Sequence, residues 1–155
     1  MPLDPTDIRA FQRLDPRTTT SGRLRDADLA GLAALGVRHV VNLALDSHPE
    51  ALADEGGKLA ALGIGYTHVP VPFDDPRDEH YRAFTAALAA AGDAPVHVHC
   101  IMNYRVAAFF YRWHRESAEM DESQARALMA QHWEPDRSDR PEVRPWAEFL
   151  ARTGI

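Results

Sequence analysis

Among its 155 residues the chain has one cysteine, Cys100, and one lysine, Lys58. A lone cysteine excludes an internal disulfide, which fits a reducing compartment and therefore a cytoplasmic setting. No apolar run approaches the roughly 20 residues of a membrane span. The polar, Pro-rich start lacks the apolar segment of a secretory signal. The net charge is -6 and the arginines are scattered rather than clustered. That distribution argues against a nucleic-acid partner, which needs a concentrated basic face. The eight histidines show no paired metal-ligand spacing. Gly63 and Gly65 lack the third glycine and following helix of a nucleotide fingerprint. Neither metal nor cofactor is expected, and nothing in the sequence sets an oligomeric state.

What is present is an alternation of helical and extended patterns. Residues 8–14 predict a short strand before a turn at Asp15-Pro16, and 18–22 (TTTSG) read as loop. Asp26 is placed to cap a helix carrying Leu29, Leu32, Ala33 and Leu35, stopped by Gly36. The β-branched run 37–45 predicts a strand covered on both faces. Pro49-Glu50 opens a second predicted helix to Leu62, and 66–71 a further strand. Pro70, Pro72 and Pro76 then stiffen the loop Phe73-Asp74-Asp75. A third helix is predicted over 79–90 with Tyr81, Phe84, Ala87 and Leu88 inward. A strand over 96–99 follows, then a helix from Asn103 or Tyr104 to about Glu116, one over 122–131, and a short last helix flanked by Pro141 and Pro145 that carries Trp146, Phe149 and Leu150. This order implies a single α/β domain over 1–155, with a mostly parallel sheet of four or five strands and helices on both faces. Ligands in such sheets sit beyond the carboxyl ends of the strands, where both the Cys100 turn and the Asp74-Asp75 loop fall.

The stretch HCIMNYRV at 99–106 carries the chemistry. A thiol between a strand and a helix N-terminus, with an arginine nearby, is set to be held as thiolate. The N–H groups of Ile101, Met102, Asn103 and Tyr104 can cradle an oxyanion, and Arg105 can add a bidentate fork. His99 is expected to hold the loop backbone, and His97 to be a satisfied core histidine. In-line attack of the sulfur on phosphorus would give a phosphocysteine. The leaving oxygen then needs a proton; Asp74 and Asp75 are the candidate acids, with Asp78 and Glu79 behind them. Trp133, in Trp133-Glu134-Pro135-Asp136, follows a predicted helix and is read as core or helix packing.

His99-Cys100 with Arg105 after a Val-rich strand resembles the signature of the cysteine-dependent protein tyrosine and dual-specificity phosphatases. TSGRL at 20–24, GVRHVVNL at 36–43, VPVPF at 69–73 and Trp133-Glu134-Pro135 are similar to small bacterial phosphatase-like proteins of that superfamily, over about 11–150. The resemblance implies a phosphatase-like fold, Cys100 as nucleophile, Arg105 as clamp, an aspartate on the separate loop as acid, and a phosphorylated protein or small molecule as substrate. The chain departs from the pattern in three ways. Four residues rather than five separate Cys100 from Arg105, the loop has no glycine, and Val106 stands where a hydroxyl is usual. A four-residue spacer also resembles the rhodanese sulfurtransferases. Sulfur transfer and a non-catalytic phosphate or phosphoprotein reader are therefore the alternatives to phosphate ester hydrolysis.

Overall fold

The computed structural model describes residues 3–153. Five strands form one sheet: β1 (Gln12–Asp15), β2 (Thr18–Ser21), β3 (His39–Asn42), β4 (Gly65–His68) and β5 (Val96–His99). Their order is β1-β2-β5-β3-β4, with β1 antiparallel to β2 and every other pair parallel. Six helices complete the fold: α1 (Asp26–Ala34), α2 (Glu55–Ala60), α3 (Asp78–Ala91), α4 (Tyr104–Glu116), α5 (Glu122–Ala130) and α6 (Arg144–Ala151). The strand that leads into Cys100, β5, is thus the central one, flanked on both edges.

Alternation along β3 shows how both faces are covered. Val40 packs with Leu29, Leu32 and Leu59 of α1 and α2. Its neighbour Val41 packs with Tyr81, Phe84, Phe109, Trp146 and Phe149 of α3, α4 and α6. Each of these large buried side chains contributes about 1.5–3 kcal/mol by leaving water. Arg112 is fully buried among them, 4.1 Å from the Tyr81 ring centroid and 4.7 Å from that of Phe149. It reaches Asp78 at the start of α3 over 3.4 Å, which ties that helix to α4. No helix among the described residues is long and apolar enough to cross a membrane.

Several boundaries differ from the sequence expectation. Residues 18–21 form a fully buried strand, not a loop. Threonine is β-branched and suits a strand, and buried partners take the hydroxyls: Thr19 and Ser21 meet His97, and Thr20 accepts from Asn103. The first strand starts at Gln12, not residue 8, because Ala10 has φ 53° and breaks extension. The second helix begins at Glu55, not at Pro49; Asp54, at φ 51°, turns the chain immediately before it. Asp26 lies inside the first turn of α1, and it is the Asp28 carboxylate that accepts the Arg25 N–H at 2.8 Å. The strands expected over 37–45 and 66–71 are four residues each. Pro145 sits within the first turn of α6, a position where its missing N–H costs nothing.

Candidate active site

Cys100 follows β5 directly and is 1 % exposed. Burial alone fits an inert thiol; its surroundings do not. Among the described residues no acceptor takes the backbone N–H groups of Ile101, Met102, Asn103 or Tyr104. These groups lie in the turn before α4 and at its first residue, where the helix end carries partial positive charge. Arg105, in the first turn of that helix, is 8 % exposed, and its Nε is sealed from solvent without an acceptor. No carboxylate pairs with it among the described residues. A buried cation without an anion is costly. Among the described residues its one charge-related contact is the Phe73 ring, 5.5 Å from the guanidinium carbon to the centroid.

The missing loop glycine has a substitute. Asn103 adopts φ 68°, ψ 8°, the left-handed conformation that asparagine tolerates better than most residues. Its side chain is fully buried, and Nδ2 donates to Ala10 O at 2.9 Å and Thr20 Oγ1 at 3.0 Å. From the other side, Arg23 N donates to Ile101 O at 2.9 Å. Arg9 Nη1 lies 3.5 Å from the same carbonyl and 3.7 Å from Met102 Sδ. Met102 is 44 % exposed at the loop tip, while Ile101 packs into the core.

His97 and His99 share one strand face but differ in partners. His97 is fully buried, with Nδ1 and Nε2 each 2.8 Å from a hydroxyl, Thr19 and Ser21. Burial, with the neighbouring His99 adding to it, keeps its pKa well below the ordinary histidine range, so it is a neutral core residue as expected. His99 faces Cys100 O at 3.2 Å through Nδ1 and Glu55 Oε2 at 2.7 Å through Nε2. The Glu55 partner was not legible in the sequence. It lies 44 residues upstream, and no local signal marks it as buried.

The proline-stiffened loop reaches the site through Phe73. Phe73 O accepts from Trp146 Nε1 at 2.6 Å. Asp75 N closes a turn onto Pro72 O, and the Asp75 carboxylate accepts from Arg77 Nε at 2.7 Å. Asp74 is exposed and has no side-chain partner among the described residues. Asp78 is engaged by Arg112 and Arg152, and Glu79 is exposed near Arg77. Trp133 packs as expected, but against the loop itself: its ring stacks on Tyr104 at 4.7 Å with an 11° interplanar angle. Beside these rings lies a hollow of about 330 Å³, walled by Phe73, Tyr104, Trp133, Pro135 and Val143. Arg9, Gly22 and Trp133, which position or border the loop, were not singled out for that role from the sequence. All three act through contacts between distant segments.

Comparison with known proteins agrees with this fold. The family described as the phosphatase-like domain of beta-lactamase hydrolase-like protein matches residues 10–113. A crystal structure of a candidate phosphatase from Shewanella putrefaciens is 30 % identical, covers 96 % of each chain and has a TM-score of 0.81. P. aeruginosa TpbA, solved in complex with phosphotyrosine, is 20 % identical over 92 % of this chain and 83 % of its own, with a TM-score of 0.71. PTPMT1, solved in complex with PI(5)P, is 16 % identical over 90 % of this chain and 94 % of its own, with a TM-score of 0.68. At those identities the last two share the fold. No curated protein was found to match the chain.

Proposed function

The chain belongs to that phosphatase-like domain family, and we propose that it hydrolyses phosphate monoesters through a phosphocysteine formed on Cys100. The observation that carries this reading is Arg105: a buried guanidinium with no protein anion among the described residues, five residues after the cysteine, beside N–H groups that have no acceptor among them. Such a site is complete only when an oxyanion enters it.

In the first step the Cys100 thiolate attacks phosphorus in line, the S–P bond forms, and the P–O bond to the leaving group breaks. The loop N–H groups and Arg105 stabilise the charge on the transferring group. Asp74 gives its proton to the leaving oxygen. Asp74 is preferred to Asp75 because the Asp75 carboxylate is held by Arg77. In the second step the Asp74 carboxylate takes a proton from water, the water oxygen attacks phosphorus, and Cys100 leaves as thiolate. Val106 offers no hydroxyl to assist that departure, so hydrolysis of the intermediate is the slow step. The hollow beside Tyr104 and Trp133 takes the part of the substrate that carries the phosphate, whether protein or small molecule. A cytoplasmic setting keeps the lone thiol reduced.

Mass spectrometry after brief exposure to an aryl phosphate tests the reading. A phosphate adduct on Cys100, absent in Cys100→Ser, together with vanadate-sensitive turnover, is expected. The four-residue spacer favours a second chemistry: an adduct of one sulfur atom after thiosulfate treatment, with no phosphate adduct, replaces hydrolysis by sulfur transfer. Phosphate binding with no adduct of either kind makes the chain a reader.

A further inference from the structure

The pair His99–Glu55 sits behind the cysteine loop with both side chains 4 % exposed. A carbonyl oxygen only accepts, so the contact to Cys100 O requires the proton on Nδ1. The 2.7 Å contact between Nε2 and Glu55 Oε2 holds a second proton, on the ring or on the carboxyl. Without a partner on Nε2, the ring is free to carry its proton there and to turn a lone pair toward Cys100 O. The Cys100 carbonyl would then lose a donor. Other titratable groups face the pair. His97 stacks at 6.3 Å with both nitrogens already occupied. Tyr66 on β4 has its phenol pushed up by burial, with Glu55 and Asp46 adding to the effect. The Tyr66 hydroxyl accepts from Asn42. With both its nitrogens occupied, His97 is not placed to replace Glu55 on Nε2.

We propose that Glu55 is a positioning residue: its carboxyl fixes the tautomer and orientation of His99, so that Nδ1–H holds the Cys100 carbonyl and sets the direction of the loop behind the sulfur. The α2 segment thereby becomes part of the catalytic apparatus without touching substrate. The inference rests on the phosphatase reading for its kinetic test, but not for its chemical one.

Two conservative variants separate reach from charge. Glu55→Gln keeps the length and supplies an amide that can donate to Nε2, holding the same tautomer. Glu55→Asp keeps the carboxylate and withdraws it by one methylene, about 1.5 Å of reach. Orientation as the cause predicts that Glu55→Gln keeps kcat on an aryl phosphate within about threefold of the parent protein. Glu55→Asp is expected to lose about tenfold or more in kcat with KM within about twofold, as for a group that acts only in the transition state. The rate at which iodoacetamide alkylates Cys100 in the folded protein should fall for Glu55→Asp and hold for Glu55→Gln. Parent-like kcat and alkylation in Glu55→Asp overturns the proposal, because the pair is then only structural. Equal damage in both variants also overturns it, because charge and not orientation is then at work. If the parent protein hydrolyses no phosphate ester, the proposed activity fails while alkylation still ranks the three proteins.

Discussion

Replacing Arg105 by methionine should make the protein more stable and unable to sense phosphate. Methionine has similar length and no charge, so it refills the space beside Phe73 without leaving a void. In the parent protein a buried nitrogen lacks an acceptor, which costs about 1–3 kcal/mol. The Phe73 ring returns about 0.5–1 kcal/mol of cation–π attraction. The net gain from removing the guanidinium is therefore about 1 kcal/mol. For a domain of this length that corresponds to a rise of about 2–4 °C in Tm. Inorganic phosphate reverses the ranking. At ten times its Kd it stabilises the parent by about 1.4 kcal/mol, while Arg105→Met should show no shift. Differential scanning calorimetry with and without phosphate, at constant ionic strength, reads both effects. A variant that melts below the parent in phosphate-free buffer, yet gains as much from phosphate, would refute the idea that Arg105 waits for an oxyanion.

Gly22→Ala drives a Cβ into Ile101 O and to 3.1 Å from Arg9 Cδ. It should destabilise by about 1–3 kcal/mol, the range for overpacking, and lower kcat by displacing the Cys100 loop; calorimetry and aryl phosphate kinetics check both. Glu50 bridges Arg9 and Arg23, and the Arg9 hydrogen bond draws its pKa down to about 2, with Arg23 adding to the effect. A depressed carboxylate stabilises the fold fully above its ordinary value of 4.5 and loses that contribution as pH falls through about 2. Glu50→Gln should therefore flatten the acid limb of Tm against pH between those values, and added salt should flatten the parent's, because the pair is exposed. Identical acid limbs for the two proteins would remove Glu50 from the support of the loop.

The sequence alone determined what neighbouring residues settle among themselves. A β-branched run ending in the lone cysteine can only be a strand leading into a turn. The spacing from Cys100 to Arg105 puts the arginine in the first turn of the helix that follows, whatever the rest of the chain does. Prolines at 70, 72 and 76 mark the stiff loop with Asp74 and Asp75, and the alternation of patterns requires helices on both faces of a parallel sheet. Tertiary structure decided what depends on strand order and on distant burial. Thr18–Ser21 looked like loop because its side chains are small and polar. It becomes a strand because β5 lies beside it and His97 takes its hydroxyls. Glu55 has the composition of a surface residue and is buried only because β5 brings His99 to it. The proposed preference for Asp74 over Asp75 rests on the Arg77 side chain, which folds onto the Asp75 carboxylate. The aromatic hollow exists because Trp133, 29 residues beyond Tyr104 in the chain, returns to stack on it. Local propensity and spacing act over a turn or a strand. Partners tens of residues apart are chosen by the register of the sheet and the packing of its two faces, which no short window of sequence contains.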